Sequence, residues 1–301
     1  MLKLKKLNIL GILSFLILLL LLCYNSYSFI QNRNSIDKSN QQTREFCLQH
    51  QDETEQYGDY CKGVLSNGEI QLDFYTTFTN IVVFGYSNIS FVLFLFIVMP
   101  SLLYLSKCFK SGTIINELTR NSYKKTMLKA IKKAYMSVWI IPSIILISFI
   151  ICALYTKVFD PAYAIKYGTV AWSESTMSNP ILFMILYLLN MIIHSLLYIN
   201  IGLIVVRKYH NYFVAVILSF LMFIGIEAFL EIAINGILFN SILKSEFGGL
   251  FNIMNMLALK DYYGIIPTLS IPFIIAIISF FVVYTLYRNK EKLIIDCETN
   301  E

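Results

Sequence analysis

Six apolar segments, each close to the length that crosses a lipid bilayer, dominate this chain of 301 residues. About 20 consecutive apolar residues are needed to cross the hydrocarbon core as a helix. The segments are residues 8–24, 80–106, 135–155, 180–206, 212–235 and 264–287. Because open strands leave backbone groups unsatisfied in lipid, all six are predicted to be helices. The sequence therefore predicts an all-α polytopic membrane protein, with one transmembrane domain over residues 1–301.

Charged residues are too scarce for a sizeable soluble domain. The chain is 57% hydrophobic and 14% charged, whereas soluble domains carry about 25% charged residues. The net charge of +5 follows from where the loops lie, so no nucleic acid partner is expected. The lipid membrane is the first partner that the composition indicates.

The basic residues predict which side each connection faces. With the N-terminus inside, the cytoplasmic pieces hold 16 of the 24 Lys and Arg residues, eight of them in residues 107–133. Cytoplasmic connections carry such an excess in membrane proteins. We therefore expect both termini to be cytoplasmic, in a multi-pass protein of the cell membrane, of the bacterial cytoplasmic type. The first apolar segment follows MLKLKK and also has the form of a signal peptide. We expect it to be retained as a span, with cleavage as the alternative.

Two connections predicted to lie outside are long enough to carry structure. Residues 25–79 hold eight acids and four bases and are rich in Asn, Gln and Ser, a composition that predicts a partly mobile extracellular loop. This loop contains Cys47 and Cys61, for which a disulfide and two free thiols are both open. Residues 236–263 are apolar at roughly helical spacing, which predicts short amphipathic helices in the outer interface or re-entering the membrane. An ordinary loop is the alternative there.

Motifs for several kinds of chemistry are absent from the sequence. There is no G-x-x-x-x-G-K-[ST] motif for holding ATP phosphates and no H-E-x-x-H motif. The three His residues are scattered along the chain, so no metal site is predicted. We expect that the chain is not an enzyme and holds no cofactor of its own.

Polar residues inside two predicted spans form a candidate cluster. Glu227 and Glu231 are four residues apart and would share one face of a helix. Counting back from the turn at residues 207–211 places Glu227 near Asn190 and His194 of the preceding span. Carboxylates in the membrane usually face the protein interior or a cavity. Three interpretations stay open: a substrate path or proton-linked switch, a hydrogen-bonded brace between helices, or a span that ends early so that both Glu residues meet water.

The connection over residues 107–133 carries the clearest local pattern. It holds Gly112-Thr113, then Leu118-Thr119-Arg120, then Lys124-Lys125, with apolar residues at helical spacing. This predicts an amphipathic segment along the inner membrane surface, where each Lys gains about 1 kcal/mol from anionic head groups. An interfacial basic helix without a protein partner is the simplest alternative.

These residues and their spacing resemble the type-2 permease family of ABC transporters. In that family the segment between spans two and three is a coupling helix that docks on an ATP-hydrolysing subunit. The resemblance implies the six-span topology with short outer helices between spans five and six, and it assigns docking to matching positions. Those positions are Gly112, Thr113, Leu118, Arg120, Lys124 and Lys125. It also implies a second permease chain, an ABC ATP-binding subunit that holds ATP and Mg²⁺, and export of a hydrophobic or amphipathic cargo.

Three other functions compete with this one. The runner-up is a non-transporting immunity or receptor-like protein that acts through its first extracellular loop. An ion-coupled carrier would instead use the intramembrane carboxylates. An intramembrane enzyme comes last, because no pair of nucleophile and base can be assembled from the sequence.

Overall fold

The computed structural model describes residues 9–49, 61–62, 64–65, 73–85, 89–111, 120, 122–156, 158–167, 179–259 and 265–288. Within these ranges the regular elements are helices, with an isolated bridge between Asp73 and Val158. Six helices are long and apolar enough to cross a membrane. Spans one to six are Ile9–Gln49, Ser90–Lys110, Tyr123–Tyr155, Pro180–Val206, Tyr212–Leu243 and Ile265–Arg288. The predicted all-helical, multi-pass class is confirmed. Both termini lie outside the described residues, so their cytoplasmic location stays a prediction.

Span one is much longer than predicted. It continues as one helix of 41 residues to Gln49, so residues 25–49 of the predicted loop are helical. No Pro or Gly interrupts this stretch, and Arg33 Nε pairs with Asp37 Oδ1 one turn away at 3.0 Å. At 1.5 Å per residue the helix is about 60 Å long, roughly twice the thickness of the hydrocarbon core. The low hydrophobicity of residues 25–49 argued against a buried core in this region, but it did not argue against a helix.

Span two begins ten residues later than predicted. Residues 74–84 form a separate short helix, with α geometry over Phe74–Phe78 and π geometry over Thr79–Phe84. Asp73 fixes its start, because a side-chain oxygen of Asp73 accepts a 2.8 Å hydrogen bond from the Thr76 amide. Phe74 N–H also donates to the carbonyl of Val158 at 2.9 Å. An apolar run that resembles one span is therefore a capped short helix followed by the span itself.

Span five is extended by a π-helix. The α-helix Tyr212–Ala228 continues as the π-helix Phe229–Leu243, so residues 236–243 belong to the span and not to the predicted outer segment. Lys244 adopts a left-handed conformation, φ 48°, and ends it. A 3₁₀ helix, Glu246–Phe251, and an α-helix, Ile253–Leu257, follow. We call residues 246–259 the returning segment, because residues 256–259 are buried against the bundle.

Span four is the most enclosed of the six helices. It packs against spans two, three, five and six. It contributes three of the largest fully buried side chains, Phe183, Tyr187 and Tyr198. Gly202 permits a close approach to span two, since a Cβ added there would meet Leu102 Cδ2 at 3.1 Å. The polar side chains that span four carries are therefore held at the centre of the protein.

Candidate functional site

The first half of span three is an amphipathic helix that we call the lead-in helix, Tyr123–Tyr135. It continues through the 3₁₀ turn Met136–Trp139 into Ile140–Tyr155. Its buried face consists of Thr126, Met127, Ala130 and Ala134, at the spacing of a helix with one apolar stripe. Its exposed face carries Lys124, Lys125, Lys129, Lys132 and Lys133. The predicted amphipathic segment is thus, over this stretch, continuous with a membrane span.

Specific contacts hold the lead-in helix against spans two and six. The Tyr123 hydroxyl donates to the carbonyl of Tyr287 at 2.7 Å. Lys133 Nζ lies 3.5 Å from the centre of the Tyr104 ring, a cation–π geometry. A displacement of the lead-in helix would therefore act directly on spans two, three and six.

The basic helix ends lie together at one end of the bundle. Phe109 of span two stacks on His210 of the turn between spans four and five, with ring centres 4.7 Å apart. Arg207 Nε donates to the carbonyl of Leu286 at 3.4 Å. Exposed cations at these helix ends are Lys107, Lys110, Arg120, Lys208 and Arg288. The ends that the charge pattern assigns to the cytoplasm thus form one face with the lead-in helix.

The structure describes half of the predicted docking residues. Arg120, Lys124 and Lys125 are exposed at this basic face. Gly112, Thr113 and Leu118 lie outside the described residues, as does the rest of 112–119. Of the predicted docking motif, the structure therefore places the three cations alone.

A second candidate site is a polar stripe within the bundle. Asn190, His194 and Tyr198 follow one another at four-residue intervals on span four, and each is at most 1% exposed. Asn190 Nδ2 donates to the carbonyl of Met256 at 2.7 Å, which binds the returning segment to span four. His194 Nδ1 lies 3.0 Å from the carbonyl of Asn190, so this nitrogen carries the proton and Nε2 is left as an acceptor.

Glu227 of span five lies at about the depth of this stripe. The ring of Phe223 lies 5.2 Å from that of Tyr198, and Glu227 is one helical turn further along span five. Because the two spans are antiparallel, this places Glu227 about level with His194. Glu227 Oε1 is buried without a hydrogen-bond partner. The sequence predicted Asn190, His194 and Glu227 at about one depth, and the structure agrees with that level. The sequence interpretation missed Tyr198, whose spacing from His194 is the signal that would have found it.

Glu231 does not share the cluster, contrary to the prediction. Its Oε1 accepts a hydrogen bond from Asn235 Nδ2 at 3.0 Å, and its Oε2 accepts one from Asn252 Nδ2 at 3.2 Å. The predicted common face assumed α geometry, but the helix becomes a π-helix at Phe229. Its wider turn gives residues four apart a different angular offset. Glu231 therefore binds the returning segment.

A disulfide bond lies at the end of the bundle opposite the basic face. Cys47 and Cys61 are disulfide-bonded, with Cα atoms 5.1 Å apart, so of the two alternatives left open the structure has the bond. Nearby, burial raises the pKa of Tyr75, and the carboxylates of Asp160 and Asp73 raise it further. The disulfide bond anchors the polar half of span one.

In the part of the chain that the structure describes, no group of three or more His, Cys, Asp or Glu residues is placed to hold a metal ion. Comparison with protein-family models, curated proteins and solved structures finds no match. The resemblance to type-2 permeases therefore rests on the residues of the 112–125 motif and on the six-helix arrangement.

Proposed function

We propose that the chain is the membrane-spanning permease subunit of an ATP-driven ABC exporter. The observation that carries the proposal is the unbroken helix from Tyr123 to Tyr155, whose first half exposes a basic face beside the other basic helix ends. A helix that only binds the lipid surface does not need to be continuous with a membrane span. A helix that transmits movement from a partner into the membrane does need to be.

Polar contacts offer a route for that movement into the bundle. The Tyr135 hydroxyl, at the end of the lead-in helix, donates to Asn200 Oδ1 of span four. Asn200 Nδ2 in turn donates to Ser279 Oγ of span six at 2.9 Å. Displacement of the lead-in helix thus bears on spans three, four and six together. In the proposed mechanism, closure of two ATP-binding subunits shifts the balance between inward- and outward-open states.

The proposal implies two partners. An ABC ATP-binding subunit would hold ATP and Mg²⁺ and dock beside the basic face. The docking residues implied by the resemblance are Gly112, Thr113, Leu118, Arg120, Lys124 and Lys125. A second permease chain, identical or related, would supply the other half of the pathway. Export of a hydrophobic or amphipathic cargo follows from the family resemblance.

Co-purification tests this function directly. The full chain is isolated from its native membranes in mild detergent, and the accompanying proteins are identified. The same isolation uses Lys124→Glu/Lys125→Glu, with Lys38→Glu as the matched control, since Lys38 is exposed on the distant polar half of span one. We expect a P-loop ATPase with the wild type and the control and much less with the double variant. Absence of any ATPase from the wild-type sample would overturn the proposal.

A second candidate is a receptor-like protein that transports nothing. It is favoured by the polar half of span one, which reaches well past the apolar stretch and is held by the Cys47–Cys61 bond. In that case Cys47→Ser would abolish activity, whereas Lys124→Glu/Lys125→Glu would leave it intact.

A further inference from the structure

A cleft opens on the side of the bundle, between the short helix 74–84 and spans three and four. Its volume is about 460 Å³, within the range of about 300–1,000 Å³ that is usual for ligand pockets. Apart from the phenol of Tyr75, the side chains that line it are apolar. Its lining includes Phe74 and Tyr75 of the short helix, Leu146 and Phe149 of span three, and Ile185 and Leu188 of span four.

The cleft has the depth of one leaflet of a bilayer. On span four it reaches Leu188, about 12 Å from the start of that span at Pro180. On span three it reaches Leu146, about 14 Å from the end of that span at Tyr155. Half of a hydrocarbon core of about 30 Å is about 15 Å. The cleft therefore lies within the leaflet distant from the basic face.

The cleft is open to the lipid along spans three and four. Leu146, Ile181 and Ile185 of its lining are 53%, 52% and 61% exposed. Behind them the ring of Phe149 stacks on that of Phe78 with centres 4.7 Å apart. An alkyl chain that enters from the bilayer would contact these surfaces together. Because lipid tails are as apolar as this lining, selection of one molecule needs a polar group as well.

Two carboxylates supply polar groups at the end of the cleft farthest from the basic face. Asp73 directly precedes the lining residue Phe74 and is 4% exposed. The Phe74 N–H donates to the carbonyl of Val158 at 2.9 Å, and the ring of Phe159 lies 5.5 Å from that of Phe74. Asp160 follows directly and is exposed. We call Asp73 and Asp160 the acidic end.

The negative charge of the acidic end extends to the lining of the cleft. Burial raises the pKa of Tyr75, and the carboxylates of Asp160 and Asp73 raise it further, as nearby negative charges do for a phenol. A cation placed beside the Tyr75 hydroxyl would be attracted by both carboxylates, whereas an anion would be repelled. The charge of the site thus complements a cationic head group.

We propose that the cleft binds a single-chain amphiphile with a cationic head group, such as a long-chain alkylamine. The alkyl chain lies between the short helix and spans three and four, and the head group lies at the acidic end. The ligand enters from the lipid and does not pass through the bundle. Binding at this site does not require the ATP-driven function.

Photo-crosslinking to the purified full chain in lipid nanodiscs tests the proposal. The probes share one long alkyl chain with a diazirine and end in an amine, an alcohol or a sulfate. We expect saturable labelling by the amine, which peptide mass spectrometry should map to residues 146–149 and 181–188. Labelling by the sulfate should be the weakest of the three, because the acidic end repels it.

Asp160→Asn tests the head-group contact. Asn keeps a side-chain oxygen that can accept the hydrogen bond from the Ala162 amide, which is 2.9 Å long in the structure, but it removes the charge. Labelling by the amine should fall about two- to fivefold, as for loss of an exposed ion pair, and labelling by the alcohol should not change. Glu45→Gln, at an exposed position of span one, is the control and should be labelled like the wild type.

Leu188→Trp tests the cleft itself. The larger side chain should fill its deep end and strongly reduce labelling by both the amine and the alcohol. Leu189→Trp is the matched control, because Leu189 is 46% exposed and is not part of the lining. Thermal unfolding of both variants shows whether each is folded.

Three results would overturn the proposal. One is wild-type protein that the amine does not label at residues 146–149 and 181–188. Another is equal labelling of the wild type by all three probes, since the cleft would then take up any chain of the bilayer. Both depend on no variant folding correctly. The third is unchanged amine labelling in a folded Leu188→Trp variant. Co-purification of an ATPase is independent of all three, so failure of this site and failure of the permease function are distinguishable.

Discussion

Asn190 Nδ2 donates a 2.7 Å hydrogen bond to the carbonyl oxygen of Met256, joining the most enclosed span to the short helix Ile253–Leu257. The contact draws the returning segment into the bundle, where Met256, Leu257, Ala258 and Leu259 are at most 2% exposed. Leu259 adopts a positive φ of 53°, which is unfavourable for a leucine. Packing against the bundle must therefore offset the cost of this conformation.

Asn190→Ala should destabilise the protein. The change removes one of two donors to the carbonyl of Met256, which keeps the Leu259 N–H at 3.2 Å. Loss of such a hydrogen bond typically costs about 0.5–1.5 kcal/mol. Thermal unfolding in detergent measures the effect. The control is Asn40→Ala on the exposed part of span one. This variant should have the same unfolding temperature as the wild type. Equal unfolding temperatures for both variants would mean that this hydrogen bond does not hold the returning segment.

Gly202→Ala should be costly although the change adds one methyl group. A Cβ at this position would meet Val98 Cγ1 at 3.3 Å and Leu102 Cδ2 at 3.1 Å, and overpacking typically costs about 1–3 kcal/mol. Gly225→Ala is the matched control on span five, because no atom lies within 4 Å of the added group. It should be neutral or slightly stabilising, since Ala is the better helix former. The reverse order of stabilities would contradict the close contact between spans two and four.

Glu231→Ala should loosen the returning segment without affecting the basic face. The variant loses both the Asn235 and the Asn252 hydrogen bonds, so opening of residues 246–257 becomes easier. Hydrogen–deuterium exchange should be faster in these residues and unchanged in the lead-in helix. Glu45→Ala, at an exposed position of span one, serves as the control. If exchange over 246–257 does not change, the segment is held by its apolar contacts alone.

Cys47→Ser should lower stability by about 3 kcal/mol, because the bond to Cys61 closes a short loop and constrains the unfolded chain. Chemical unfolding under oxidising conditions measures the difference. Cys23→Ser replaces a free, exposed cysteine on the same helix and should be nearly neutral. Under reducing conditions the wild type should approach Cys47→Ser, and a difference that persists would assign the effect to packing of the side chain.

The spans were predictable because length and hydrophobicity alone decide whether a segment can cross a bilayer. The residues at which the helices begin and end were less predictable. The extension of span one depends on the absence of Pro and Gly and on pairs such as Arg33–Asp37, which are weak signals one at a time. The π-helix from Phe229 depends on a hydrogen-bond register that residue types do not reveal.

The residues of the candidate site were predictable where a regular α-helical spacing places them. They were not predictable where the local helix geometry departs from that spacing. Asn190 and His194 stand out as polar residues in an apolar segment. Tyr198 does not, because an aromatic residue in a span is most simply a packing residue. Glu231 shares the predicted face of Glu227 only in a regular α-helix, and the π-helix changes that spacing.

The Cys47–Cys61 bond also bears on how the protein is made. Thiols are oxidised outside the cytoplasm and kept reduced within it, so the orientation predicted from the charge pattern implies that the pair joins only after residues 47–61 have been translocated. A molecule inserted upside down would keep both thiols, and an alkylating reagent would label them. In the predicted orientation, the redox state of this pair therefore reports the direction in which each newly synthesised chain entered the membrane.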